Sequence, residues 1–338
     1  MLTLAELENQ LSLPSPALLE DITHIPGDFI ILGAGGKMGP SLVLLLRRAI
    51  AAAGSEQKIT AVSRFSEVSL PASLRQQGIE TISADLLREA DLAALPLAEN
   101  VIYMAGMKFG SSGNQPLTWA MNSFLPGRVA EKYKHSNIVV FSTGNVYPFT
   151  PAMDGGPDET TEPQPIGEYA QSCLGRERIF EYFSQKNDTA MLFFRLNYAI
   201  DMRYGVLLDV AKAVFTGKPI DLSMGHVNVI WQGDANEMAI RSLRYCNDPP
   251  MILNVTGPET ISVRWLAQKF EEHFSREAFF TGVPQPTALL SNASLAHRLF
   301  GYPRISLHQM IEWTADWVLA GGEELGKPTH FQQRKGNF

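Results

Sequence analysis

Residues 33–39 read Gly-Ala-Gly-Gly-Lys-Met-Gly, a glycine spacing that can carry chemistry when it joins a strand to a helix. Phe29-Ile30-Ile31-Leu32 ahead of it is apolar throughout, as in strands covered on both faces. Pro40 behind it suits the first turn of a helix, expected over about 40–53. Glycine allows the tight turn, lets backbone approach a pyrophosphate, and lets helix and strand pack closely. The helix N-terminus adds unpaired N–H groups and a partial positive charge. Gly33, Gly36 and Gly39, with Lys37 and Met38 between them, are therefore candidate contacts for a dinucleotide. A Walker A loop does not fit, because Ile31 stands where its first glycine belongs and Met38 follows Lys37.

The tip of the next strand bears on which dinucleotide binds. An acidic residue there would hold the adenosine 2′-hydroxyl, but this strand ends Val62-Ser63-Arg64. A hydroxyl and a guanidinium suit a 2′-phosphate, so NADP is expected over NAD. Asp85, after the third strand, reads equally as an adenine contact or a helix N-cap. No pair among the seven histidines has metal-ligand spacing on one helix, so no metal site is expected. Cys173 and Cys246 cannot build a disulfide framework, which fits a reducing, cytoplasmic setting.

The elements around the turn alternate. Strands are expected near 58–62, 78–83, 100–104, 137–141 and 190–195, with helices between most of them. That alternation implies a parallel, doubly wound α/β sheet. A proline-rich stretch over 148–165 reads as a long loop, followed by a helix over about 168–185. Further on come helices near 205–216, 262–274, 292–299 and 306–319, strands near 227–231 and 252–255, and a helix N-capped by Asp234. Residues 1–25 form an amphipathic lead-in: Thr3 and Glu6 have capping-box spacing, and Leu4, Leu7 and Leu11 share a face before Pro14 and Pro16 stop the helix. The 338 residues, 45% hydrophobic, suffice for one large or two ordinary domains. No apolar run approaches the roughly 20 residues needed to span a bilayer, and neither a membrane role nor a signal peptide is expected. A net charge of −7 without a basic cluster disfavours nucleic acid as a partner.

Several segments, in order, resemble the extended short-chain dehydrogenases/reductases of NAD-dependent epimerase/dehydratase type. Gly33, Gly36 and Gly39 match that family's GxxGxxG. Val101-Ile102-Tyr103-Met104-Ala105-Gly106 is similar to its fourth-strand segment. Phe141-Ser142-Thr143-Gly144-Asn145-Val146-Tyr147-Pro148 resembles its S-[ST]-x-x-V-Y-G, and Tyr169-Ala170-Gln171-Ser172-Cys173 its YxxSK. Glu177, Arg195-Leu196-Asn197, Gly217-Lys218-Pro219 and Asn254-Val255-Thr256-Gly257 fall where other landmarks fall. The resemblance covers about residues 28–318.

It implies a Rossmann domain over 26–198 with a returning segment at about 226–258. A smaller C-terminal α/β substrate lobe would span 199–225 and 259–320, ahead of a tail over 321–338. It makes Thr143 and Tyr169 the catalytic pair, with Cys173 at the family's third catalytic position. Besides the glycine turn, Ser63, Arg64, Asp85, Leu86, Ala105 and Gly106 fall to an NAD(P) cofactor. Lys108, Asn122, Asn145 and Asn197 fall to a small-molecule substrate, a sugar or sugar derivative. A homodimer is the family's habit. The sequence departs from the pattern at Cys173, which replaces the lysine that lowers the tyrosine pKa, and at Leu125-Pro126, which replaces Gly-Thr. A neutral thiol supplies no charge. Arg176 and Lys108 are the candidate substitutes. Two functions follow: an NAD(P)-dependent oxidoreductase or epimerase/dehydratase with Tyr169 as acid/base, or a non-catalytic NAD(P)-binding regulator or scaffold.

Overall fold

The computed structural model describes residues 3–108, 113–327 and 329–336. Positions 1–2 of the expected lead-in, and 328 and 337–338 of the expected tail, lie outside the described residues.

Seven strands form one wholly parallel sheet: β1 (Phe29–Leu32), β2 (Ile59–Ser63), β3 (Glu80–Ser83), β4 (Asn100–Tyr103), β5 (Asn137–Thr143), β6 (Met191–Leu196) and β7 (Met251–Val255). Their order is β7-β6-β5-β4-β1-β2-β3. The chain runs outward from β1 to β3, then returns to β4 on the other side of β1. That reversal opens a crevice at the carboxyl ends of β1 and β4, where open α/β sheets bind ligands. The first helices of the chain that matter here are α1 (Leu4–Leu11), α2 (Pro16–Thr23), α3 (Gly39–Ala52), α4 (Leu70–Gln76), α5 (Glu89–Ala94), α6 (Gln115–Trp119), α7 (Leu125–Lys132) and α8 (Gly167–Asn187). After them come α9 (Val206–Thr216), α10 (Gln232–Arg241), α11 (Val263–Phe274), α12 (Ser294–Phe300) and α13 (Leu307–Leu319).

Strand alternation sorts the sheet's apolar side chains onto two faces. Phe29 and Ile31 pack with Leu42, Leu46 and Ile50 of α3, whereas Ile30 and Leu32 pack with Leu125, Val129 and Phe180 of α7 and α8. A third apolar cluster gathers α9, α11 and α13 around Val210, Leu266, Phe270 and Trp317.

Three local readings are corrected by these contacts. Helix α1 ends at Leu11, ahead of Pro14 and Pro16 as expected, but the lead-in holds a second helix that Pro16 opens, α2, with Ser15 capping Leu18 N. Asp234 is not an N-cap. Helix α10 begins at Gln232, and the Asp234 carboxylate accepts the Ile305 amide at 3.0 Å beside Arg304, while burial pushes its pKa up to about 6. The stretch 227–231 is no continuous strand. His226–Val227 pairs with Ile261–Ser262 and Ile230–Trp231 with Ala199–Ile200, because Asn228 between them is drawn off to Ser291 N and Glu259 O.

The lead-in is part of the core. Leu7 and Leu11 of α1 join the cluster of α9, α11 and α13, while Leu18 and Ile22 of α2 join that of β1 and α3. Ser15 donates to Glu237, and Asp21 pairs with Arg241 and Arg244. The segment thus buckles two apolar clusters together. Replacing Leu7 or Leu11 by alanine should cost about 2–5 kcal/mol in denaturant unfolding, as for any buried leucine. A cost below about 1 kcal/mol would refute that placement.

Candidate functional site

Gly33 follows β1 with φ +99, and a Cβ there would meet the Ala105 amide at 2.7 Å. Only glycine fits that turn beside β4. Gly39 is as tightly held, since a Cβ would meet the Ala34 carbonyl at 2.2 Å. The first turn of α3 carries no side-chain cap, so its N–H groups are left for a ligand.

Two recesses meet at this turn. One, about 180 Å³, runs along Gly35, Ser63, Arg64, Asp85, Leu86 and Gly106, with Ala105 beside them. The other, about 240 Å³, reaches Thr143, Asn145, Tyr169 and Asn197. Gly33, Gly36 and Met104 border both. The first thus gathers the residues expected at the adenosine half of a dinucleotide, and the second those expected at the reacting end. Asp85 is not an N-cap, because Arg88 precedes α5; its Oδ1 accepts the Leu87 amide in a local turn. Lys37 and Met38 border the second recess, not the first.

Thr143 ends β5, and Tyr169 lies in the first turn of α8. The Thr143 Oγ1 accepts from Asn145 N at 3.2 Å and Asn145 Nδ2 at 3.0 Å. With both lone pairs engaged, its own proton is the donor in the hydrogen bond between the Thr143 and Tyr169 hydroxyls. Burial pushes the Tyr169 phenol well above its ordinary value of 10, and Cys173 adds to this against Arg176 and Thr143. At neutral pH Tyr169 is therefore a proton donor.

Cys173 lies one turn along α8, fully buried, and burial pushes its thiol up. It borders neither recess. Asn122, expected toward the substrate, lies in a π-turn before α7 with no exposure. Its Oδ1 accepts from Met107 N and Arg176 Nη2, and its Nδ2 donates to Met107 O and Ser172 Oγ, so its amide is used up as scaffold. Arg176 donates to Asn122 and to the Phe141 carbonyl at 2.7 Å each, which holds the guanidinium beneath the site. Lys108 borders the second recess, with Nζ 5.8 Å from the Tyr169 ring centre. Of the two candidate cations, Lys108 is the one on the cavity side.

Burial lowers the Lys108 ammonium to about 8 and that of Lys37 to about 7, where Asp201 opposes the shift and Lys108, Arg203 and Lys327 add to it. Lys37 Nζ donates to the Ala199 carbonyl at 2.8 Å. Tyr198, Tyr204 and Thr329 also line this recess, and the sequence reading missed them. They belong to no motif; a buried Phe331 in a polar tail is the only cue to Thr329.

No family model and no curated relative matches the sequence. Solved structures do. UDP-glucuronic acid 4-epimerase from Bacillus cereus, in complex with UDP-glucuronic acid and NAD, is 17% identical with a TM-score of 0.70, over 87% of this chain and 99% of that one. The Thermus thermophilus UDP-glucose 4-epimerase in complex with NAD is 18% identical with a TM-score of 0.68, over 86% and 98%. The Thermotoga maritima UDP-glucose 4-epimerase with UDP-glucose is 15% identical with a TM-score of 0.70, over 87% and 99%. These likenesses establish the fold, a Rossmann-like α/β sheet.

Lys37 gives a pH-dependent stability test. Its folded pKa lies below the unfolded value, so the unfolded chain binds more protons between about pH 7 and 10.5. The cost of this lysine is thus full below pH 7 and is relieved as pH rises. Lys37→Met should stabilise the fold at pH 6 by on the order of 1 kcal/mol, discounted for partial solvent contact, and by less at pH 9. Parallel denaturant curves at both pH values check this, and a pH-independent difference would contradict it.

Proposed function

We propose that the protein is an NAD(P)-dependent oxidoreductase or epimerase acting on a hydroxyl or carbonyl of a sugar-derived substrate. One observation carries the reading: the hydrogen-bonded Thr143 and Tyr169 hydroxyls belong to a cavity that shares Gly33, Gly36 and Met104 with the groove along Ser63 and Asp85. The residues fit a dinucleotide, since the glycine turn is too tight for side chains and the uncapped α3 N-terminus faces the same crevice. Gly33, Gly36 and Gly39 would hold the pyrophosphate, and Ser63, Arg64 and Asp85 the adenosine half. When bound, the cofactor supplies or takes a hydride.

The chain's own part is the proton. Tyr169 gives its phenol proton to the substrate oxygen as a carbonyl becomes a hydroxyl, and takes it back in the reverse direction. With substrate bound, the single Thr143 proton turns from Tyr169 to the same oxygen, since its lone pairs are already engaged by Asn145. Lys108 replaces the missing positive charge of position 173, approaching from the β4 loop instead of from α8. The second reading, a dinucleotide-binding regulator without turnover, draws on the buried, uncharged Cys173.

Two measurements test this. Tyr169→Phe should lower kcat for keto-sugar reduction about 100-fold or more while leaving dinucleotide affinity intact. Unchanged turnover would remove Tyr169 from the mechanism, and dinucleotide binding without turnover on any substrate would favour the regulator. For the cofactor, Arg64 borders the groove and favours NADP. Arg64→Ala should weaken NADP about tenfold and NAD little in titration calorimetry, a charge-assisted hydrogen bond being worth about 1.5–3 kcal/mol. Equal loss for both nucleotides would count against the 2′-phosphate contact.

A further inference from the structure

The cavity beside Tyr169 is positive in a negative protein. The chain's net charge is −7, yet the described residues lining this cavity include Lys37 and Lys108 and no carboxylate. Lys37 leaves the glycine turn toward the C-terminal lobe, where its Nζ meets the Ala199 carbonyl and lies 3.6 Å over the Tyr204 ring. It borders this cavity and a neighbouring recess with Glu8, Glu67 and Arg203, but not the groove along Ser63 and Asp85. The carboxylate acting on it, Asp201, is already paired with Arg203 at 3.0 Å. Asn197 lines the same cavity, 2% exposed, and its Nδ2 has no hydrogen-bond partner. A buried amide donor and two lysines lining one cavity suit an acceptor with negative charge.

The cavity is also short. Its volume of about 240 Å³ lies under the roughly 300 Å³ at the small end of ligand pockets, and the reacting end of a dinucleotide must share it. The C-terminal segment runs along one side of it, with Thr329 in its lining. Leu325 N donates to Arg203 O, and Thr329 donates twice to Asp209 Oδ2, from N at 3.0 Å and from Oγ1 at 2.5 Å. Phe331 is buried, Arg334 donates to the Thr287 carbonyl, and Gly336 lies against Gly167 at the start of α8. Thr329 lines the cavity, whereas His330, Phe331 and Gln332 border a separate recess along Pro219–Asp221 that shares no lining residue with it.

We propose that the substrate is a small anion, a sugar derivative bearing a carboxylate or phosphate but no nucleotide. Lys37 and Asn197 hold the charged group while Tyr169 and Thr143 face the reacting oxygen. Lys108 adds to the field from the Tyr169 side. A nucleotide attached to the sugar would exceed the cavity's volume of about 240 Å³ beside the reacting end of a dinucleotide. The inference rests on the oxidoreductase reading, which supplies the reacting end.

Titration calorimetry on the NAD(P)-saturated protein tests it with four probes: D-glucuronate, D-glucose, D-glucose 6-phosphate and UDP-glucuronic acid. Glucose and glucuronate differ in charge, whereas glucuronate and UDP-glucuronic acid differ in size. Glucuronate or the phosphate should bind at least tenfold more tightly than glucose and than UDP-glucuronic acid. Which of the two binds better identifies the anion. Lys37→Met should erase the preference over glucose, and Lys37→Arg should keep most of it, with thermal melts showing that both variants fold. Tighter binding of UDP-glucuronic acid, or a preference that survives Lys37→Met, would overturn the proposal alone. Failure of the protein to bind NAD or NADP would overturn the oxidoreductase reading, and this proposal with it.

Discussion

The arrangement of the site depends on one buried ion pair. Arg195 of β6 grips Glu177 of α8 with two nitrogens, at 2.6 and 3.0 Å, and both side chains are 3% exposed. Ser142 of β5 donates to the same carboxylate, and the remaining Arg195 nitrogen donates to the Tyr147 hydroxyl, which donates to Asn254 of β7. A helix, three strands and the loop after β5 therefore share one network. Such pairs contribute little net stability once desolvation is counted, but they tolerate only one geometry. The register of α8 follows from it, and Tyr169, eight residues before Glu177, is thereby set opposite Thr143.

Beneath Tyr169 the helix carries a buried thiol, Cys173, which supplies no charge. Cationic side chains lie around it on two sides. Arg176, a turn deeper, is spent on the Phe141 carbonyl and on Asn122. Lys37 and Lys108 come from the loops after β1 and β4 and present ammonium groups to the cavity, at the cost of burial that lowers both. Charge on loops at the carboxyl ends of strands can face the substrate as well as the cofactor. Charge on α8 would face chiefly the tyrosine.

Much of the fold was legible in the chain. The apolar runs of β1, β4 and β5 and the glycine turn follow from local rules, because a strand covered on both faces needs continuous hydrophobicity and a tight turn needs glycine. Capping signals worked where partners are local, as for Thr3 and Glu6. They failed at Asp234, whose partners are Ile305 and Arg304, some seventy residues away. Asn122 failed for the same reason: its expected neighbour was a substrate, and the folded chain supplied Arg176, Ser172 and Met107 instead.

The sequence by itself determined the parallel α/β sheet, the glycine turn at its carboxyl edge, and the absence of a lysine at position 173. Each is a matter of residue type and short spacing, which local sterics and hydrophobic period dictate. Only the tertiary structure decided that Lys37 reaches the Ala199 carbonyl and the Tyr204 ring, that Arg176 is locked under the site, and that the lead-in joins two apolar clusters. It also decided that Thr329 bounds the cavity beside Tyr169. Those outcomes depend on contacts between residues tens to hundreds of positions apart. Whether a polar group meets a partner there, or is left facing a cavity, is set by packing and not by its neighbours in the chain.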